Sequence, residues 1–270
     1  MKALPSIDPP QSASQGVLTP ACAASRIASA RRAEQWTEAV ASFSLCEALS
    51  SPSEDSCSVL LRLMEAMERS KGASKGAKAL RELMAGAALR MFEAGWAGPA
   101  LDLKRSERIW ELVIGSARVD LAQAAVDCGL RPWTPVLHWS LSPIGLAMNQ
   151  GRLDTAVCLA RAMNEAEVAA ALKSRNGLLF DVLHPGKWDK VGEGLGDFWQ
   201  AWSPKGLPID ARDGGASEGR TVLMEACWMT RSVGARMIAS LLEWGASPRL
   251  ADEDGRTPLH FVCAEGEPGG

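Results

Sequence analysis

The chain lacks tyrosine altogether, holds only three histidines in 270 residues, and has no Cys-x-x-Cys pair among its seven cysteines. Scattered cysteines in odd number supply neither a disulfide framework nor a zinc site, so a reducing compartment is expected. No stretch approaches the roughly 18 consecutive apolar residues of a membrane span. Pro5, Pro9 and Pro10 interrupt the place where a signal peptide would carry its apolar segment. Positive charge is also short: 29 Lys and Arg stand against 32 Asp and Glu, for a net charge of -3. A surface that grips a phosphate backbone needs the opposite balance. The expectations are therefore no nucleic acid, no membrane and a cytoplasmic location.

The same scarcity bears on chemistry. His138, His184 and His260 are the only imidazoles, and none has the two-His-with-Glu spacing of a helical metal site. The glycine-rich stretch "GKWDKVGEGLG" lacks the Gly-Lys-Ser/Thr ending that cradles phosphates, and no strand precedes it. No catalytic residue, metal or cofactor is expected, and the protein is not expected to be an enzyme. The rival reading is a hydrolase built on Cys227 and a nearby histidine, which only spatial adjacency could support. Cys128, Cys158, Cys227 and Cys263 fall in apolar helical stretches, where a small buried hydrophobe is the simpler role.

What the chain does have is helical periodicity. Residues 1–32 mix Pro, Ser, Gln and Ala without a sustained apolar period, which predicts a flexible leader. Over 33–75 the pattern turns helical. Trp36, Ala39, Val40, Phe43 and Cys46 share one face, and "SCSVLLRLMEAMERS" forms a second helix capped by Ser56 or Ser58. "KGASKG" marks a break, and beyond it helices of about 8 to 12 residues alternate with Gly, Pro and Asp turns. The fold class is all-α.

From 76 to 270 the chain repeats itself. Gly95 in "MFEAGWAGP" and Gly129 in "AVDCGLRPW" each end an apolar helix thirty-four residues apart, and "SARVDLAQAAV" recurs as "GRLDTAVCLA" at the same interval. "EGRTVLMEAC" recurs as "DGRTPLHFVC", thirty-six residues on. These segments resemble the ankyrin repeat, whose motif Asp-x-x-Gly-x-Thr-Pro-Leu-His leads into a helix pair ending in Leu-Leu-x-x-Gly-Ala. "DEDGRTPLH" carries the first part from Asp252 to His260, and "SLLEWGASP" carries the second at Leu241, Leu242, Gly245 and Ala246. The match is strong over 207–270, where "GRTVLMEAC" keeps Gly219, Thr221, Leu223 and Ala226 but has Val222 for the proline, moderate over 76–163, and weak elsewhere. The resemblance implies an α-solenoid of about five stacked helix pairs behind an irregular N-terminal helical cap, with the last repeat truncated after "HFVCAEGEPGG".

It further implies a module that binds another protein through its concave face. Stacking consumes the interior, so function falls to surfaces. Ten tryptophans is the unusual count, and an exposed one would mark an anchor. Trp36, Trp110, Trp199 and Trp202 lie on apolar helix faces. Trp228 and Met229 instead end a first helix, where the family lines its concave surface, and Asn149 and Gln150 hold the same slots in an earlier unit. Arg212, Arg220, Glu253 and Arg256 occupy turn tips. His260 takes the motif's structural histidine slot. Two further expectations concern the ends: the leader as the export signal of a bacterial effector delivered to a host cell, and the short final helix as either a lid or a self-association surface.

Overall fold

The computed structural model describes residues 24–27, 30, 32–44, 54–70, 74–97, 102–133, 142–173, 195–205, 209–212, 219–228 and 232–264. Within them run α1 (Ala33–Ser44), α2 (Glu54–Arg69), α3 (Lys75–Glu93), α4 (Leu103–Ser116), α5 (Val119–Asp127), α6 (Pro143–Asn149) and α7 (Leu153–Ala162). They continue as α8 (Glu165–Lys173), α9 (Leu195–Trp202), α10 (Val222–Trp228), α11 (Ser232–Glu243) and α12 (Pro258–Ala264). Among the described residues there is no strand, only an isolated antiparallel bridge between Arg212 and Thr221.

The packing follows a rule of two. Helix α1 packs on α3, α3 on α5, α5 on α7 and α7 on α9, while α2 packs on α4, α4 on α6 and α10 on α12. Sequential partners also meet: α2 with α3, α4 with α5, α6 with α7 and α10 with α11. Helices α1 to α7 and α9 therefore fall into two rows, α2, α4 and α6 in the first and α1, α3, α5, α7 and α9 in the second, and α10, α11 and α12 repeat the same kind of pairing among themselves. Trp110 and Trp202 are 1% and 0% exposed. Side chains of that size contribute about 3 kcal/mol or more each when kept from water. A stacked pair, Trp199 on Trp244 at 5.1 Å, links α9 to the end of α11.

The turns are written by local chemistry. Helices α3, α5 and α11 end in the same two hydrogen bonds. Gly95 N donates to Phe92 O and Trp96 N to Met91 O; Gly129 N donates to Val126 O and Leu130 N to Ala125 O; Gly245 N donates to Leu242 O and Ala246 N to Leu241 O. This double closure needs a residue with positive φ, supplied at +93° by Gly245, and in each case the next residue is buried. Helices α6 and α10 start on a hydroxyl: Ser142 Oγ accepts from Gly145 N at 3.1 Å, and Thr221 Oγ1 from Met224 N at 3.4 Å. At α12 the threonine of the motif, Thr257, engages differently. The hydroxyl pairs with His260 Nδ1 at 2.8 Å, and that nitrogen also accepts Thr257 N–H at 3.0 Å. One helix end borrows its cap from afar: Lys205 Nζ donates to the carbonyls of Ala160 and Arg161, each at 2.7 Å, and to that of Met163, closing α7.

Several local expectations differ from the structure. α2 begins at Glu54, so Ser56 lies inside the helix and is buried instead of capping it. α3 runs 19 residues, beyond the expected length, because its Ala-rich sequence favours helix and Ser74 caps it through Ala77 N at 3.2 Å; Gly76 sits inside its first turn. Residues 24–27 of the expected leader form a helical turn with Ile27 0% exposed. Cys227 is buried, but Cys128 and Cys158 are half-buried and Cys263 is exposed. Leu242, part of the repeat motif, is exposed as well. Of the α1 face, Trp36, Ala39 and Val40 are buried, and Cys46 lies outside the described residues.

Candidate functional site

The turn before α12 is organised by one carboxylate. Asp252 Oδ1 accepts from Asp254 N at 3.1 Å and Arg256 N at 2.8 Å, while Oδ2 accepts from Arg256 Nε at 2.9 Å. Burial of this carboxyl raises its pKa, but the Arg256 backbone N–H, the Arg256 guanidinium and the Asp254 N–H outweigh that and hold it below the usual carboxylate range. Arg256 also pairs with Asp254 at 2.6 Å. The preceding turn is its counterpart. The bridge between Arg212 and Thr221 closes it, and Arg212 Nη1 donates to Gly219 O at 3.0 Å. The two turns touch: a methyl group on Gly219 would stand 3.1 Å from Glu253 Cγ and 3.6 Å from Arg212 Nη1. At their bases Ser247 N donates to Asp210 Oδ1 at 2.9 Å.

Inside the turns, cations and rings alternate. The Arg220 guanidinium lies 4.7 Å from the Trp228 ring centroid and 4.9 Å from that of Phe261, and the Arg256 guanidinium lies 5.3 Å from Phe261. Contacts of this kind contribute about 0.5–2 kcal/mol each. Arg220 also pairs with Glu225 at 3.3 Å, and the two side chains are only 12% and 17% exposed. Trp228 is thus held by a fixed cation while remaining 52% exposed. A half-wet tryptophan whose ring cannot swing freely loses little conformational entropy when it is covered.

Of the eight residues singled out in the sequence, Arg212, Arg220, Trp228, Glu253 and Arg256 come together here. Arg220 faces inward and orients Trp228. Asn149 and Gln150 end α6, half-buried and outside this cluster, and Met229 lies outside the described residues. Phe261 and Glu225 were not singled out, although the repeat interval carries the signal: Arg220 and Arg256 are thirty-six apart, as are Glu225 and Phe261. At one step the arginine meets an acid five residues on, and at the next it meets a ring.

For the rival hydrolase, Cys227 is buried and burial pushes its thiol pKa up, which keeps it protonated. His260 Nδ1 is engaged by Thr257, and His138 and His184 lie outside the described residues. Among the described residues no group of His, Cys, Asp and Glu is placed to hold a metal, and no helix is long and apolar enough to cross a membrane.

No family model matches the chain, and no solved structure matches it. Among curated proteins, a segment of 62 residues is 42% identical to the palmitoyltransferase AKR1 of Saccharomyces cerevisiae. The segment covers 23% of this chain and 7% of that protein, so the likeness reaches only a small part of either.

Proposed function

We propose that this chain is an ankyrin-type stack of helix pairs that binds a partner protein, without catalysis, through the face formed by α10, α12 and the turns before them. The observation that carries the reading is the clamped tryptophan: Arg220 between the rings of Trp228 and Phe261, with half of Trp228 open to solvent. Binding energy at interfaces concentrates in such pre-positioned Trp and Arg residues, ringed by groups that exclude water. The two-row packing, the shared helix endings and the partial likeness to a protein that carries ankyrin repeats support the stack. The cytoplasm is the proposed location, in line with free cysteines and a net charge of -3.

The test is affinity capture with quantitative mass spectrometry. Wild type is compared with Trp228→Ala, Arg256→Ala and a control, Leu103→Ala, which removes an exposed side chain on α4. Partners lost with Trp228→Ala and Arg256→Ala but kept with Leu103→Ala are expected. Equal recovery from all four proteins would refute this face.

A further inference from the structure

A cavity of about 340 Å³ opens at the edge where α2 and α4 end and where α3, α5 and α7 begin. It is distant in sequence from the Trp228 face and belongs to other helices. Its floor is apolar, formed by the buried side chains of Met67 and Leu112, and its walls carry Lys78, Arg81, Arg118 and Arg152. Two carboxylates also line it. Glu68 is taken by Arg108 at 3.6 Å and Glu82 by Arg118 at 2.5 Å. Arg118 is satisfied twice over, since its Nε and Nη2 hold Asp120 at 3.0 and 2.6 Å. Lys78, Arg81 and Arg152 have no carboxylate partner among the described residues.

The repeat supplies the comparison. Arg118 and Arg152 hold the same position in successive steps, each starting a second-row helix without a side-chain cap. Thirty-six residues before Arg118 comes Glu82, its partner. The same interval before Arg152 gives Ser116, which lines the same cavity but turns its hydroxyl to Val113 O at 2.6 Å. Where one arginine clasps two acids from its own chain, the next is left with a concavity, two further cations and a greasy floor. A lone guanidinium in water would need nothing more, but four cations and two carboxylates line this hollow, both carboxylates are engaged by Arg108 and Arg118, and the net positive balance around Lys78, Arg81 and Arg152 favours an added anion.

We propose that this cavity takes carboxylate side chains from an acidic segment of a partner protein, the outside acid standing where Glu82 stands for Arg118. Glutamate fits the hollow as a whole: its carboxylate meets Arg152 side-on, neighbouring acids meet Lys78 and Arg81, and its methylenes cover Met67 and Leu112. The inference rests on the protein-binding reading and names the chemistry of one partner surface. It uses helices apart from the Trp228 face, so the two fail separately.

Fluorescence anisotropy of labelled hexaglutamate at low salt tests it on the full chain. Wild type is expected to bind, and Arg152→Gln to weaken binding by at least about tenfold, the loss of one charge-assisted pair. Ser116→Glu is expected to weaken it similarly, by bringing a carboxylate of the chain's own into the hollow. Arg161→Gln, which removes an exposed cation elsewhere on α7, and Trp228→Ala are expected to bind as wild type. Circular dichroism of each variant checks that it is folded. Absence of hexaglutamate binding by wild type, equal loss with Arg161→Gln, unchanged binding with Arg152→Gln, or uptake of inorganic phosphate in place of the peptide would each overturn the proposal. Loss of captured partners with Trp228→Ala while hexaglutamate binding is absent would leave the first face standing and remove this one.

Discussion

The connection between α4 and α5, "SARVD" at 116–120, and that between α6 and α7, "QGRLD" at 150–154, are the same turn in different residues. Both pass through the left-handed region, at φ 59° for Ala117 and 66° for Gly151. In the first a side chain with a Cβ bears a conformation that suits glycine, and its arginine is saturated by Glu82 and Asp120. In the second the backbone is relaxed, with Gly151 N on Met148 O and Arg152 N on Ala147 O, both at 2.8 Å, and the arginine has no acid among the described residues. The repeat interval sets the backbone path, while the residues filling it decide strain and charge. One turn has been made a structural joint, and its neighbour has been left chemically open.

The comparison can be broken at its core. Leu121, directly after the first turn, is 0% exposed, and the residue at the same step after the second is Thr155, 2% exposed. Leu121→Ala is expected to cost about 3 kcal/mol, because a stacking side chain is replaced by a void. Thr155→Ala is expected to cost about 1 kcal/mol. Urea unfolding monitored by tryptophan fluorescence gives both values. A similar cost at the two sites would mean that the two steps do not stack alike.

The turns themselves come next. Gly151→Ala is expected to destabilise by about 1 kcal/mol, since the change forces a Cβ into the left-handed region. Ala117→Gly is expected to stabilise by about 0.5 kcal/mol, the relief of strain being partly offset by the freer unfolded chain. Opposite signs in thermal melts sharpen the comparison, and like signs break it.

Charge gives the smaller effects. The Arg118 guanidinium beside Asp120 holds that carboxyl below the usual range, against a smaller opposing effect of burial. A depressed folded-state value means the stabilisation is present above the unfolded pKa of about 4 and is lost as pH falls through the folded value. The pair is 28% and 45% exposed, so screening limits its contribution to about 1 kcal/mol or less. Stability measured from pH 6 to pH 2 should fall less for Asp120→Asn than for wild type. Smallest of all, Arg152→Gln is expected to change stability by no more than about 0.5 kcal/mol, because no carboxylate among the described residues depends on it. A clear loss in its urea midpoint would assign Arg152 a structural partner and remove the open turn.

The parts of this protein legible in its sequence are those decided within a few residues. Gly95, Gly129 and Gly245 end helices because only their backbone reaches the needed φ cheaply, and Ser142 and Thr221 start helices because a hydroxyl reaches the first free N–H groups. The exposure of Trp228 follows from its place at a helix end. Less legible was the length of α3, where alanine propensity outweighs two glycines, and the role of Arg220, which depends on Phe261 from the next step. The thiols divided for the same reason: tertiary packing buries Cys227 and leaves Cys263 exposed.

The sequence by itself determined the helices, their ends and the interval at which they recur, since capping, propensity and turn geometry act between residues that are neighbours in the chain. Only the tertiary structure decided which arginine meets an acid, which meets a ring and which is left facing a hollow. The deciding contacts, Arg118 with Glu82 and Arg220 with Phe261, join residues thirty-six and forty-one positions apart, and Coulomb and cation–ring forces depend on distances in space that the sequence does not display.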